Sequence, residues 1–347
     1  MRLGVAAMVA LALGCSRPAA QVEAGAGTVA PDPPAVNDTS VSRLGSRDEV
    51  PLAGPRVEAR SGDWMLRGGG SVAVVSAARG TIVDFGADGG DDGLVAIDPT
   101  VFIGLDEMTS VVEAVEPAGA GGHALLVRRR VVSDPPITLW TYTTIEDGTL
   151  RIESVATTGA EAALAVTLGE VVAWGNVPTW VEGLGLVKEK GSWAGDFIAR
   201  SSLGVAYALA LPHGHVVARF GKPLAGFHEW PRTGEVVEGI PSHGASRRRV
   251  VLLTQAKGSI GAAANALRRA QLDHFSLPTG VPPGAQVEVV RCEGSLPYAR
   301  YDARGTDVSL PHGCWRARLV APGYAPGAWT PVESLAKAPL PQAGTLR

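Results

Sequence analysis

Aromatic residues are scarce in this 347-residue chain: 8 Trp, 5 Tyr and 6 Phe make up only 5 % of it. A core must therefore be built mainly from the aliphatic residues that bring the hydrophobic fraction to 46 %. Neither sign of charge is in excess. With 31 Lys and Arg against 34 Asp and Glu, the formal charge is −3. That balance excludes a basic field for nucleic acid and an acidic interaction tail. Beyond the first fifteen residues there is no apolar run of membrane length. Serine-hydrolase elbows, Walker loops and H-E-x-x-H motifs are all missing. No G-X-Y period runs through the 44 glycines and 25 prolines, which excludes collagen. Spread along the whole chain, they read as turns between many short strands.

The start of the chain is the clearest signal present. Arg2 supplies a positive charge, and residues 3–13 form an uninterrupted small-and-apolar run ending in Leu11-Ala12-Leu13-Gly14-Cys15. Eleven residues are too few to cross a hydrocarbon layer of ~30 Å, so the run predicts a signal peptide. The ending resembles a bacterial lipobox, with Ala12 standing where Leu is usual. That resemblance implies acylation of Cys15; ordinary cleavage after Gly14 is the alternative. Export to an envelope compartment follows from either.

Residues 16–51 are mostly Pro, Ala, Gly, Ser and Asp. Such a composition predicts a disordered tether, stiffened by Pro31-Asp32-Pro33-Pro34. A Gly25-x-Gly27-x-x-Ala30 pattern lies inside it with no strand before and no helix after, so it is not a dinucleotide fingerprint. From about residue 62 to residue 258 strand patterns follow one another. Residues 64–66 and 71–76 flank a Gly68-Gly69-Gly70 turn, and residues 149–155 alternate, with Leu150 and Ile152 apolar and Arg151 and Glu153 polar. Residues 137–145 are rich in Thr, Trp and Tyr, which suit a pleated surface. One helix is predicted, capped by Ser259, with Ile260, Ala263, Ala264 and Leu267 on one face. Strand patterns resume at Ala285, enough for a small seven-strand-type sandwich, and residues 344–347 read as the opening of a further strand. The expected organisation is a signal peptide over 1–15 and a tether over 16–51. A large antiparallel β-sandwich over 52–276 ends in the short helix, and a small prealbumin- or immunoglobulin-like sandwich spans 277–347. The fold class is all-β.

Two resemblances follow. The segments Leu296-Pro297-Tyr298-Ala299-Arg300-Tyr301-Asp302, Leu310-Pro311-His312-Gly313-Cys314-Trp315 and Ala321-Pro322-Gly323-Tyr324 resemble the carboxypeptidase regulatory-like module. Gly62-Asp63-Trp64-Met65-Leu66-Arg67, Gly169-Glu170, Trp174-Gly175-Asn176, Val181-Glu182-Gly183-Leu184-Gly185 and Gly258-Ser259-Ile260-Gly261 resemble the N-terminal sandwich of exported proteins in the PHP-type metallohydrolase family. In that family an Asp-x-His-x-His motif opens the catalytic domain. No such motif occurs in residues 1–347, so the resemblance implies an architecture and no activity of these residues.

Several constellations compete for a functional role. His213-Gly214-His215 is the single H-x-H, but Pro212 and Gly214 make it a turn with solvated histidines. Asp84, Asp88, Asp91 and Asp92 resemble a calcium-collecting loop without EF-hand spacing, and a solvated turn is the expected reading. Arg128–Arg130 and Arg247–Arg249 are expected to be solvated strand faces. Trp174, Trp180, Trp193, His228, Glu229 and Trp230 crowd one third of the chain. Their indoles could stack on sugar rings, and a supersandwich of the galactose-mutarotase-like kind places a Glu and a His in such a groove; core packing is the plain alternative. Trp174, Trp180, His228, Glu229 and Trp230 are therefore the candidate ligand groove. Cys292 and Cys314 form an even pair once Cys15 is modified, and in an exported chain an even pair bridges. The expectation is an envelope lipoprotein that binds or presents a partner, with a glycan as the ligand class. It has no catalytic, cofactor or metal residues and no nucleic-acid partner. The alternatives are the front part of a PHP-type hydrolase and a sugar-active enzyme.

Overall fold

The computed structural model describes residues 31–34, 39–103, 106–161, 164–173, 179–187, 191–202, 204–220, 232–236, 247–257, 259–268 and 272–341. Cys15, Trp174, His228, Glu229 and Trp230 lie outside them. Among the described residues the protein is nearly all strand, and every pairing within its named sheets is antiparallel. A ten-stranded sheet runs from Ser40–Arg43 through Trp64–Gly68, Ser71–Val75, Ile82–Ala87 and Ala96–Ile103. It continues with Thr167–Ala173, Arg232–Val236 and Val216–Phe220 to Gly191–Gly195, and the tenth strand, Asp106–Glu107, pairs with Ala96–Ile103 off this path. A nine-stranded sheet faces it. Its order is Gly185–Leu186, Trp180–Val181, Phe197–Ser202, Val205–Ala210, Arg247–Lys257, Thr149–Thr158, Ile137–Glu146, Ala124–Val131 and Ser110–Ala118.

The alternation in residues 149–155 explains how these sheets meet. Leu150 and Ile152 enter the inter-sheet core with Leu66, Phe85, Ile97, Leu209 and Leu253, all essentially water-free. Each such side chain contributes roughly 1.5–3 kcal/mol by leaving water. The turns are equally local in origin. Gly69 and Gly70 both have positive φ, as a two-residue hairpin turn matching strand twist requires. Gly69 also permits close contact between the sheets: a Cβ there would stand 2.0 Å from the amide nitrogen of Gly148, in the equivalent turn of the opposite sheet.

Four expectations change. The tether does not extend to residue 51. Ser40–Arg43 pairs with Trp64–Gly68, and Leu44, Val50, Leu52, Val57 and Ala59 cover the outer face of the ten-stranded sheet. Ser-Val-Ser-Arg carries no apolar alternation, so as an edge strand it gave no signal. The domain boundary also moves: Leu272–Ser276 pairs with Asp307–Pro311 and belongs to the small sandwich. That sandwich has six strands among the described residues, in sheets of two and four. The arginine triplets are not simply solvated faces. Arg128, Arg130 and Arg248 point outward, but Arg129 and Arg249 are buried between the sheets. Arg249 makes a two-pronged ion pair with buried Glu170 across the sheets, with both bonds at 3.0 Å, and Arg129 meets Asp98 at 2.7 Å. Finally, Asp84 and Asp92 are fully buried, and only Asp88 and Asp91 form a solvated turn.

The helix spans Ile260–Arg268, and the Ser259 hydroxyl accepts from the Ala262 N–H at 3.1 Å, as an N-cap should. Its Ile260, Ala263 and Ala264 face a second core, in which Ala206 and Ala208 of the nine-stranded sheet meet Tyr298, Trp315 and Leu319 of the small sandwich. The two sandwiches thus share one hydrophobic core. A Cβ on Gly261 would fall 2.2 Å from the Tyr301 ring, so the helix can lie this close only with glycine there. Cys292 and Cys314 are joined by a disulfide with Cα atoms 5.4 Å apart. The bridge lies on the solvent side, because Trp315 takes the buried position next to Cys314.

Candidate functional site

Trp180 is the member of the candidate groove that can be located, and it is not in a groove. It is 1 % exposed, its indole N–H donates to the Tyr298 carbonyl at 3.1 Å, and the Arg300 guanidinium lies over its ring. It pins one sandwich to the other. A two-residue strand inside an apolar contact gives no periodicity by which sequence could tell a pin from a platform. Trp193 is half-buried against the inter-sheet core, which is also packing.

A cleft of about 610 Å³ opens beside this pin, between the two sandwiches. One wall comes from the turn after Trp180–Val181, which supplies Glu182 and Gly183, and from the end of Gly191–Gly195 with the following Asp196. The other wall is the bend carrying Arg291, Glu293, Leu296 and Pro297. The two are stitched together by the Gly183 N–H donating to the Pro297 carbonyl at 2.9 Å. Its volume falls in the range of ligand sites, ~300–1,000 Å³.

Polar groups in the cleft are held by local hydrogen bonds. The Asp196 N–H donates to the Glu182 carboxylate at 2.8 Å, which fixes the turn. The Asp196 carboxylate is paired with Nδ1 of His215 at 2.8 Å. His215 therefore has a carboxylate partner, while His213 stands exposed in the turn. Among the described residues no group of three or more His, Cys, Asp or Glu could hold a metal ion. Arg291 lies over the Trp315 ring at 4.7 Å, and Leu296 is 66 % exposed at the rim. Sequence reasoning missed Glu182, Asp196, Arg291 and Glu293 as site residues. No local pattern marks them, since the cleft joins segments about a hundred residues apart.

A second unusual feature is wholly internal. Arg200 projects from Phe197–Ser202 beside its cross-strand neighbour Tyr207, and both are completely buried between the sheets. The Tyr207 hydroxyl lies 2.9 Å from Oδ1 of Asp92 and 2.8 Å from the Phe85 carbonyl, and accepts from the Gly93 N–H at 2.8 Å. Asp84 accepts from the Glu58 N–H at 2.7 Å. Among the described residues no group bonds to the nitrogens of Arg200 or to Oδ2 of either aspartate. Burial, reinforced by the nearby Asp84 charge, pushes the Asp92 carboxyl up to about 8, and burial pushes Asp84 to about 6. Burial likewise lowers Arg200 to about 10.

No protein-family model matches the chain. No curated protein matches it either. Solved structures similar to it are β-sandwich proteins of low identity. A galactose mutarotase-like protein from Clostridium acetobutylicum is 7 % identical with a TM-score of 0.36, covering 63 % of this chain and 99 % of that one. A candidate aldose 1-epimerase from Escherichia coli K12 is 11 % identical with a TM-score of 0.38, over 63 % and 99 % of the two chains. A heparinase III gene product is 10 % identical with a TM-score of 0.34, over 72 % of this chain and 41 % of its own. Likeness at this level carries no assignment of chemistry.

Proposed function

We propose that this chain is an exported binding module, held to an envelope membrane by lipid on Cys15, whose cleft between the sandwiches receives a glycan or a similar hydroxyl-rich ligand. The observation that supports it is the cleft itself: the Asp196–His215 pair, Glu182, Glu293 and Arg291 stand around the apolar surface of Leu296 and Pro297. Sugar hydroxyls both donate and accept, so carboxylates and an oriented imidazole suit them, while the C–H face of a pyranose packs on apolar side chains. Binding rather than turnover is favoured because the pair is open to water, with side chains 67 % and 42 % exposed. General acid–base groups usually owe their tuning to burial and water exclusion.

Calorimetric titration with a panel of envelope oligosaccharides tests this. At least one should bind, and Asp196→Asn or His215→Ala should weaken it by roughly five- to tenfold, the loss of one hydrogen bond of ~1 kcal/mol. No binding across the panel overturns the reading. A sugar-active enzyme using the same pair is the rival. Release of reducing ends or anomer exchange on that panel, lost in His215→Ala, would put it in place of simple binding.

A further inference from the structure

The outer face of the nine-stranded sheet, away from the cleft, carries an aromatic patch made of Trp140, Tyr142, Leu126 and Val155. Trp140 and Tyr142 are cross-strand partners of Val155 and Glu153 and point away from the inter-sheet core, yet they are only 2 % and 1 % exposed. Arg128 lies over the Trp140 ring at 5.6 Å, and the Trp140 indole N–H donates to Thr157 at 3.3 Å, so the ring is held in place. Glu153 is fully buried on this face between Arg151 at 2.8 Å and Arg248 at 2.9 Å.

Part of the cover is the chain's own N-terminal segment. The Tyr142 hydroxyl donates to the Pro31 carbonyl. Pro33 lies over the 118–122 turn, close enough that a Cβ on Gly119 would touch it at 3.8 Å. Further on, Thr39 exchanges two hydrogen bonds with the backbone of Ile145, at 2.9 and 3.0 Å, and His123 donates to the Thr39 carbonyl at 2.7 Å. The segment is therefore fastened at both ends to one strand, at Tyr142 and at Ile145. We infer that this aromatic face is a recognition surface for proline-rich polypeptide, and that residues 31–34 of the same chain are its resident ligand.

The chemistry suits that partner. Pro31, Pro33 and Pro34 have no N–H, so their backbone can only accept, and a phenol donor beside an indole face is what such a segment needs. Proline also keeps the segment extended before it docks, which reduces the ordering cost.

The test uses the mature full-length chain and a synthetic peptide of residues 28–38. In a chain with Pro31, Pro33 and Pro34 all changed to Gly, acrylamide should quench indole fluorescence more strongly than in the unaltered chain. That variant should bind the added peptide at least tenfold more tightly than the unaltered chain, whose own segment competes. Adding Tyr142→Phe should weaken peptide binding by about fivefold, the share of one hydrogen bond, with circular dichroism confirming that both variants are folded. Equal peptide affinity for the unaltered chain and the triple variant would overturn the inference, as would folded variants with unchanged quenching and no peptide binding. The cleft plays no part in these readouts, so they stand or fall independently of the glycan reading.

Discussion

Replacing Asp92 by Asn should make the protein more stable in alkaline solution. In the folded chain Asp92 is fully buried and its carboxyl is pushed from 3.8 to about 8, first by loss of water and then by the Asp84 charge. Unfolded, it returns to about 3.9. Below pH 4 both states hold the proton, and the group costs nothing. As pH rises from about 4 to about 8 the unfolded chain releases a proton that the folded chain retains, so stability falls through that window and levels off above it. At about 1.36 kcal/mol per pH unit, the loss by pH 7 is on the order of 4 kcal/mol. Asn imitates the protonated acid in carrying no charge, and its carbonyl can accept from the Leu94 N–H, now bonded to Oδ1 at 2.9 Å. Urea unfolding with the disulfide intact, repeated from pH 4.5 to 9, should show the unaltered chain declining steeply. The variant should be flatter and several kcal/mol more stable at pH 8. Parallel pH curves, or a variant less stable at pH 8, would refute the claim that Asp92 is protonated in the fold.

Three further outcomes are expected. Glu170→Ala leaves the Arg249 guanidinium buried without its carboxylate and should cost about 3–5 kcal/mol by urea unfolding; a loss under 1 kcal/mol would show that the ion pair across the sheets is not needed. Reducing the Cys292–Cys314 bridge, which spans a sequence separation of 22 residues, should lower stability by roughly 3 kcal/mol, read as a shifted midpoint against a Cys292→Ser/Cys314→Ser control that dithiothreitol leaves unmoved. Cys15→Ala should shift the protein from the membrane to the soluble fraction of a cell lysate with its sandwiches intact, and a variant that stays with the membrane would count against the lipid anchor.

How much of this was legible depends on how local the cause is. The Gly68-Gly69-Gly70 turn, the Leu150 and Ile152 alternation and the Ser259 cap each depend on residues within one turn or one strand, and each has its sequence signature. The first strand has none. Ser40–Arg43 is an edge strand whose identity comes from pairing with Trp64–Gly68 rather than from its own composition. Crowding along the sequence cannot distinguish an indole that faces solvent from one pressed between two sandwiches, as that of Trp180 is. The cleft left no trace, since it joins Glu182, Asp196, His215 and Arg291 from segments that meet only after folding.

An all-β chain, two successive sandwich regions with a helix near their junction and an even cysteine pair in the second region can all be read from the residues alone. These follow from periodicity, turn residues and composition, which act over a few residues at a time. Only the tertiary structure decided that Arg129 and Arg249 turn inward while their neighbours turn outward, because a strand's inward face is set by its partner across the core. It likewise decided that Asp84 and Asp92 lie in a buried cluster with Arg200 and Tyr207, where burial sets their proton affinity. The sequence contains every one of those side chains, but a charge acquires its chemistry from the dielectric and the partners around it, and both are assembled by long-range packing.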